Sequence, residues 1–158
     1  IIVSLGIQSR TKMKKDIKIE ETFYENEKPK TLRHIQNNDS TPMLEKGWYE
    51  NGQLKYERTY NNHILTVATW DEEGNKFYES QSKQITIQGV SRQQEIKSIT
   101  FYPNGQIAKQ SEGYGKEKYF DINGSTITKS EYESSKFYIE NKYELKNRQS
   151  DIFTLTNK

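Results

Sequence analysis

The stretch WYENGQLKYERTYNNHILTVATWDEEGNKFYES, residues 48–80, decides the fold. Asn51-Gly52 sits between two segments that alternate polar and apolar residues. That arrangement predicts a two-residue type I′ hairpin turn, in which both residues take positive φ. Asn tolerates that conformation and Gly has no Cβ to clash. After the turn, Leu54, Tyr56, Arg58 and Tyr60 share one face of a strand. Over residues 64–70, Ile64, Thr66, Ala68 and Trp70 share one face, and Leu65, Val67 and Thr69 the other. Asn61-Asn62 supplies a second kind of turn between these strands. The unit is two short strands with a tight turn at each end.

The phrase recurs. It returns as Tyr102-Pro103-Asn104-Gly105-Gln106-Ile107. One residue longer, it reads Trp70-Asp71-Glu72-Glu73-Gly74-Asn75 and Phe120-Asp121-Ile122-Asn123-Gly124-Ser125. Degenerate copies, both without Gly, are Tyr24-Glu25-Asn26-Glu27 and Tyr138-Ile139-Glu140-Asn141-Lys142-Tyr143; these read as capping units. The turns fall at 26, 52, 74, 105, 124 and 142, at intervals of 26, 22, 31, 19 and 18 residues. The long interval reads as an insertion, with a strand at residues 84–90, a loop at 91–94 and a further strand at 95–102. No stretch shows sustained 3.6-residue periodicity, and residues 142–150 offer one helical turn.

The whole chain agrees with this. Among 158 residues there are only two Ala and seven Leu, against 16 Ile, 13 Thr and 11 Tyr. Ala and Leu lead the helix scale, whereas β-branched and aromatic residues fit pleated surfaces. Leu, Ile, Val and Phe make up about a fifth of the chain, the border at which chains cease to fold. The net charge of only +2 and the aromatics hold it on the folded side. The expected fold is all-β: repeated hairpins in an elongated antiparallel sheet, five or six units long, each stabilised by its neighbours. Tyr49, Trp70, Tyr102 and Phe120 are expected to form a ladder along it.

The domain reading is an N-terminal arm over residues 1–16, a hairpin-repeat domain over 17–146 and a C-terminal tail over 147–158. Residues 1–9, IIVSLGIQS, fit the end of a signal peptide, a first strand or an expression remnant. Met13, opening MKKDIKIEE, is an alternative start. The compartment stays open, cytoplasmic or exported. The absence of Cys excludes disulfides, thiolate metal sites and Cys nucleophiles. No segment approaches the length of apolar sequence that spans a bilayer.

WYENGQLKYERTY followed by TWDEEGNKFYES resembles two consecutive MORN repeats of the bacterial variant type. FYPNGQIAKQSE and YFDINGSTITKSEY resemble two more, and the resemblance covers roughly residues 20–145. It implies a bacterial repeat protein that binds another protein, and an antitoxin component whose partner is a cognate toxin. It carries over no catalytic residues, because the repeat motif has none. The Gly-rich, His-Gly-containing form of the eukaryotic repeat is missing, which argues against lipid contact.

The chemistry-bearing residues have ordinary structural roles. His34 and His63 have no partners at the spacing of a hydrolytic triad or a zinc site. Glu20 and Glu21 point to opposite faces of a strand. Glu72 and Glu73 lie in a turn, and with Asp71 and Asn75 do not match an EF-hand loop. Arg10, Lys12, Lys14, Lys15 and Lys18 form a basic patch offset by Glu20, Glu21, Glu25 and Glu27, so nucleic acid is not the expected partner. No cofactor and no metal are expected, and the chain reads as a non-enzyme. The residues expected to contact a protein partner are Tyr49, Tyr56, Trp70, Tyr78, Tyr102 and Tyr119, aromatics on the sheet. A cell-envelope protein binding glycan or cell wall is the alternative.

Overall fold

The structure, a computed structural model, describes residues 8–37, 41–113 and 115–154, with side chains described through Leu145. The fold is all-β. Eleven strands form one antiparallel meander in which each strand pairs only with its sequence neighbours. They are β1 (Ser9–Lys14), β2 (Ile17–Phe23), β3 (Pro29–Gln36), β4 (Pro42–Trp48), β5 (Leu54–Asn61), β6 (Ile64–Trp70), β7 (Lys76–Ile87), β8 (Val90–Phe101), β9 (Ile107–Ser111), β10 (Glu117–Phe120) and β11 (Thr126–Ile127). Two helices follow, α1 (Lys129–Glu133) and α2 (Lys136–Thr154).

In a meander every second connection lies on the same border. One border therefore carries the turns 24–28, 49–53, 71–75, 102–106 and 121–125. All five share one frame. Gly52, Gly74, Gly105 and Gly124 each donate a backbone N–H to the carbonyl three residues back, and Glu27 does so in the first turn. The frame aligns Trp48-Tyr49 with Phe23-Tyr24, Trp70-Asp71, Phe101-Tyr102 and Phe120-Asp121. The expected extra residue in two copies does not exist, because Asp occupies the Tyr position there.

The turn type also differs from expectation. Only the fourth residue takes positive φ, +95° at Gly52 and +85° at Gly105, while Asn51 and Asn104 do not. These are three-residue loops, a type I turn closed by a left-handed Gly, and not two-residue type I′ turns. The type I′ geometry occurs on the opposite border, at Asn62-His63 (φ 49° and 63°) and Gln88-Gly89 (φ 51° and 76°). His63 is thus part of its turn and does not follow it. In the first four turns of the near border the pairing slips by one residue where the strands meet the turn, as at Gly47/Trp48 and Thr69/Trp70.

The long interval holds no extra strand. β7 and β8 are each 12 residues long and run unbroken to the Gln88-Gly89 turn, so residues 91–94 are strand and not loop. At the N-terminus, Ser9–Lys14 pairs along its full length with β2 and is no loose arm; residues 1–7 lie outside the described residues. At the C-terminus the expected capping repeat around Asn141-Lys142 and most of the expected tail are helix α2.

Helix α1 begins at a capping box. Thr128 Oγ1 accepts from the Glu131 backbone N–H at 3.2 Å, and the Glu131 carboxylate accepts from the Thr128 N–H at 2.7 Å. α1 and α2 lie on one face of the sheet, over β7–β10. The Phe137 ring sits 4.6 Å from Tyr102 and 6.3 Å from Phe77, centroid to centroid. Tyr132 sits 5.1 Å from Tyr119 and 5.3 Å from Tyr138. Beneath them Tyr102, Ala108, Tyr119 and Tyr132 form one buried cluster, and Leu65, Val67 and Tyr78 form a second. The core is thin, as the low apolar content requires, and it is mostly phenol.

Candidate binding surface

The pairing register sorts the side chains into two faces. On the helix-bearing face lie Thr31, Gly47, Tyr56, Thr69, Tyr78 and Thr100, linked strand by strand as cross-strand partners. The residue before each near-border turn lies on the other face. There Phe23 pairs with Pro29, Trp48 with Leu54, Trp70 with Lys76, Phe101 with Ile107 and Phe120 with Thr126. The result is a row of five aromatic rings at equivalent positions of five hairpins. All five are half-buried, and among the described residues no element covers that face. Arg10 lies over the Phe23 ring at 5.2 Å and Lys76 over the Trp70 ring at 5.8 Å.

In three of the five hairpins the residue after the aromatic is a Tyr that locks one hairpin to the next. The Tyr24 hydroxyl donates to the Trp48 carbonyl at 2.6 Å, Tyr49 to Trp70 at 2.9 Å and Tyr102 to Phe120 at 2.8 Å. Asn51 Nδ2 donates to the Glu72 carbonyl, and Asn104 Nδ2 to the Ile122 carbonyl. Where Asp replaces Tyr, the carboxylate turns inward. Asp71 Oδ1 accepts from the Asn75 N–H, and Asp121 Oδ1 accepts from Asn123 and Ser125. Asp71 therefore serves its own turn, with Oδ2 held by Asn75 Nδ2. Among the described residues no three His, Asp or Glu side chains gather to hold a metal ion.

The structure divides the six expected contact residues. Tyr78, Tyr102 and Tyr119 are 3%, 4% and 7% exposed, lie beneath the helices and present no surface. Their place in the core follows from α1 and α2, which the alternation pattern did not announce. Burial raises all three phenols above their ordinary range, with Glu117 adding to the rise at Tyr119. Tyr49 and Tyr56 are half-buried on the helix-bearing face, where Tyr49 forms its lock and Tyr56 donates to Glu45 at 2.9 Å. Only Trp70 belongs to the open aromatic row. The other four members of the row, Phe23, Trp48, Phe101 and Phe120, are not among the six. The signal that finds them is the aromatic pair before each turn, once the shared frame is used.

The adjacent residues Phe77 and Tyr78 do not point to opposite faces as strict alternation expects. The slip between Thr69 and Trp70 turns both to the helix side, where Phe77 meets Phe137. Ahead of the helices, the same face carries alternating charge across four strands. Lys18 meets Glu20 at 2.7 Å, Arg33 bridges Glu20 at 3.1 Å and Glu45 at 3.9 Å, and Arg58 meets Glu45 at 3.2 Å. Of the basic N-terminal residues, Lys12 meets Glu21 at 3.1 Å. Between the sheet and the helices lies a cavity of about 460 Å³ lined by Tyr78, Lys109, Glu117, Tyr132 and Tyr138, among others. Glu117 there accepts from Tyr119 and pairs with Lys109 at 2.6 Å.

No helix among the described residues is long and apolar enough to cross a membrane. The chain matches no protein-family model and no curated protein.

Proposed function

We propose that this chain is a non-enzymatic repeat module that binds a partner protein through the open aromatic face. The observation that supports it is the row Phe23, Trp48, Trp70, Phe101 and Phe120, five half-buried rings on a face that no element covers among the described residues. Exposed aromatics in a contiguous row are the residues that anchor protein interfaces. Continuous strand pairing holds the row in fixed spacing, so little order has to be gained on binding. The resemblance of the repeats to the bacterial variant MORN type suggests an antitoxin or immunity role, with the product of a neighbouring gene as partner. Co-expression of the chain with that product tests this. A stable complex on gel filtration is the expected outcome, and two separate peaks would overturn it.

Half-exposed Trp48 and Trp70 also suit stacking against sugar rings, which favours a second reading, an envelope protein that binds glycan. Titration with soluble cell-wall fragments separates the two, since only the second reading predicts quenching of the tryptophan fluorescence.

A further inference from the structure

The chain contains three Asn-Gly pairs, Asn51-Gly52, Asn104-Gly105 and Asn123-Gly124. This dipeptide is the one most prone to deamidation, because Gly leaves its backbone nitrogen unshielded. The three pairs form an internal comparison. All three Asn are exposed. The Gly φ angles are 95°, 85° and 89°, and each Gly N–H donates to the carbonyl three residues back, at 2.9, 2.9 and 3.0 Å. Solvent access and backbone geometry are therefore matched.

The side-chain amides are not matched. Asn51 is held at both ends, its Oδ1 accepting from the Gln53 N–H at 2.8 Å and its Nδ2 donating to the Glu72 carbonyl at 2.9 Å. Asn104 is held the same way, by Gln106 N–H at 3.1 Å and the Ile122 carbonyl at 3.1 Å. Asn123 is held at neither end among the described residues. Its oxygen has no role, because the Asp121 carboxylate already accepts from the Ser125 N–H at 2.9 Å. Its nitrogen has no target, because after β11 the chain enters α1 and supplies no following turn. The missing restraints follow from its place in the last hairpin.

We infer that Asn123 is the site at which this protein deamidates first. The Gly124 backbone nitrogen forms a bond to Asn123 Cγ, and the Cγ–Nδ2 bond breaks. Ammonia leaves carrying the proton from the Gly124 N–H, and a succinimide remains. Water then opens the ring at either carbonyl. One opening gives Asp, and the other gives isoaspartate with one more methylene in the backbone. At Asn51 and Asn104 the amide must first leave two hydrogen bonds, so the approach of Cγ to the nitrogen is less frequent.

Incubation of the full chain in warm, mildly alkaline buffer, followed by peptide mapping with mass spectrometry, tests this. The expected result is conversion at Asn123 several-fold faster than at Asn51 or Asn104 in the folded protein, with the three rates converging in denaturant. Faster conversion at Asn51 or Asn104 in the folded protein would overturn the inference. So would an Asn123 lead that persists undiminished in denaturant, because the cause would then be local sequence and not the fold.

Discussion

The hydroxyl of Tyr49 lies 2.9 Å from the main-chain carbonyl of Trp70, one hairpin further along the chain. The bond ties the side chain of one turn to the backbone of the next. Tyr24 and Tyr102 repeat it. A hairpin alone is marginal in water; continuous strand pairing joins the array, and these three bonds add a second tie between neighbouring turns.

Removing the hydroxyl should weaken the coupling without disturbing the ring. Tyr102→Phe is expected to lower stability by about 1–2 kcal/mol, since the Phe120 carbonyl loses its donor beside a residue only 4% exposed. Tyr24→Phe, at a more exposed lock, should lower it by roughly 0.5–1 kcal/mol. Urea midpoints at unchanged slope measure both.

Glycine substitutions separate strain from crowding. At Gly52 and Gly105 a Cβ would meet nothing within 4 Å, yet φ is +95° and +85°. Gly52→Val or Gly105→Val is expected to cost at least about 1–2 kcal/mol from backbone conformation alone. Gly47 is the reverse case, with an ordinary backbone and the Tyr56 ring occupying the place where a Cβ would stand. Gly47→Ala should cost about 1–3 kcal/mol. Much of that should disappear in a Tyr56→Ala background, which a double-mutant cycle reads directly.

The helical cover should depend on one ring and one cap. Tyr132 is 2% exposed and packs on Tyr119 and Tyr138. Tyr132→Ala is expected to cost about 3–5 kcal/mol. Amide exchange should rise in β8–β10, with β2–β5 changed least. Thr128→Ala should cost about 0.5–2 kcal/mol through loss of the capping box.

Stability should fall at both ends of the pH scale. The Lys18 bond, aided by Arg33, holds the Glu20 carboxyl below its ordinary 4.5. Burial raises Glu117, but the bonds from Lys109 and Tyr119 outweigh it and leave it low as well. These contributions are complete above pH 4.5 and are lost as pH falls through the lowered values. Burial, with Glu45 beside it, pushes the Tyr56 phenol up to about 12 from 10.0. That contribution is complete below pH 10 and is lost as pH rises toward 12, because the unfolded chain ionises first. Urea midpoints across pH should show a plateau between two falling limbs, with Glu117→Gln flattening the acid limb and Tyr56→Phe the alkaline one.

The hairpins were legible because Asn51-Gly52 and Asn104-Gly105 announce turns locally and the alternation around Leu65 and Val67 fixes which side faces inward. The turn type was not legible, since Asn-Gly serves two-residue and three-residue loops alike, and the choice depends on the slip at Trp48. The helical turn expected over residues 142–150 lies within α2, but the rest of α2 and all of α1 went unread for a different reason. Thr128-Lys129-Ser130-Glu131 is a capping box in plain sight, but among the described side chains those that α2 turns to the sheet are Phe137, Tyr138 and Leu145, too sparse to show a period. That same sparseness hid the fate of Tyr78, Tyr102 and Tyr119, which read as surface until a cover lay over them. The aromatic row became visible only in the frame that aligns Trp70 with Trp48 and not with Tyr49.

The uncovered aromatic face is the surface we propose binds a protein. The most direct test is calorimetric titration of the neighbouring gene's product into three proteins: the native chain, Trp48→Ala with Trp70→Ala, and Lys18→Ala with Arg33→Ala on the opposite face. Each variant's fold is checked first by its urea midpoint. The prediction is saturable binding to the native chain, weakening of at least about thirty-fold in the tryptophan pair, and near-native binding in the charge pair. Absence of binding to the native chain, or equal binding by all three, would contradict it.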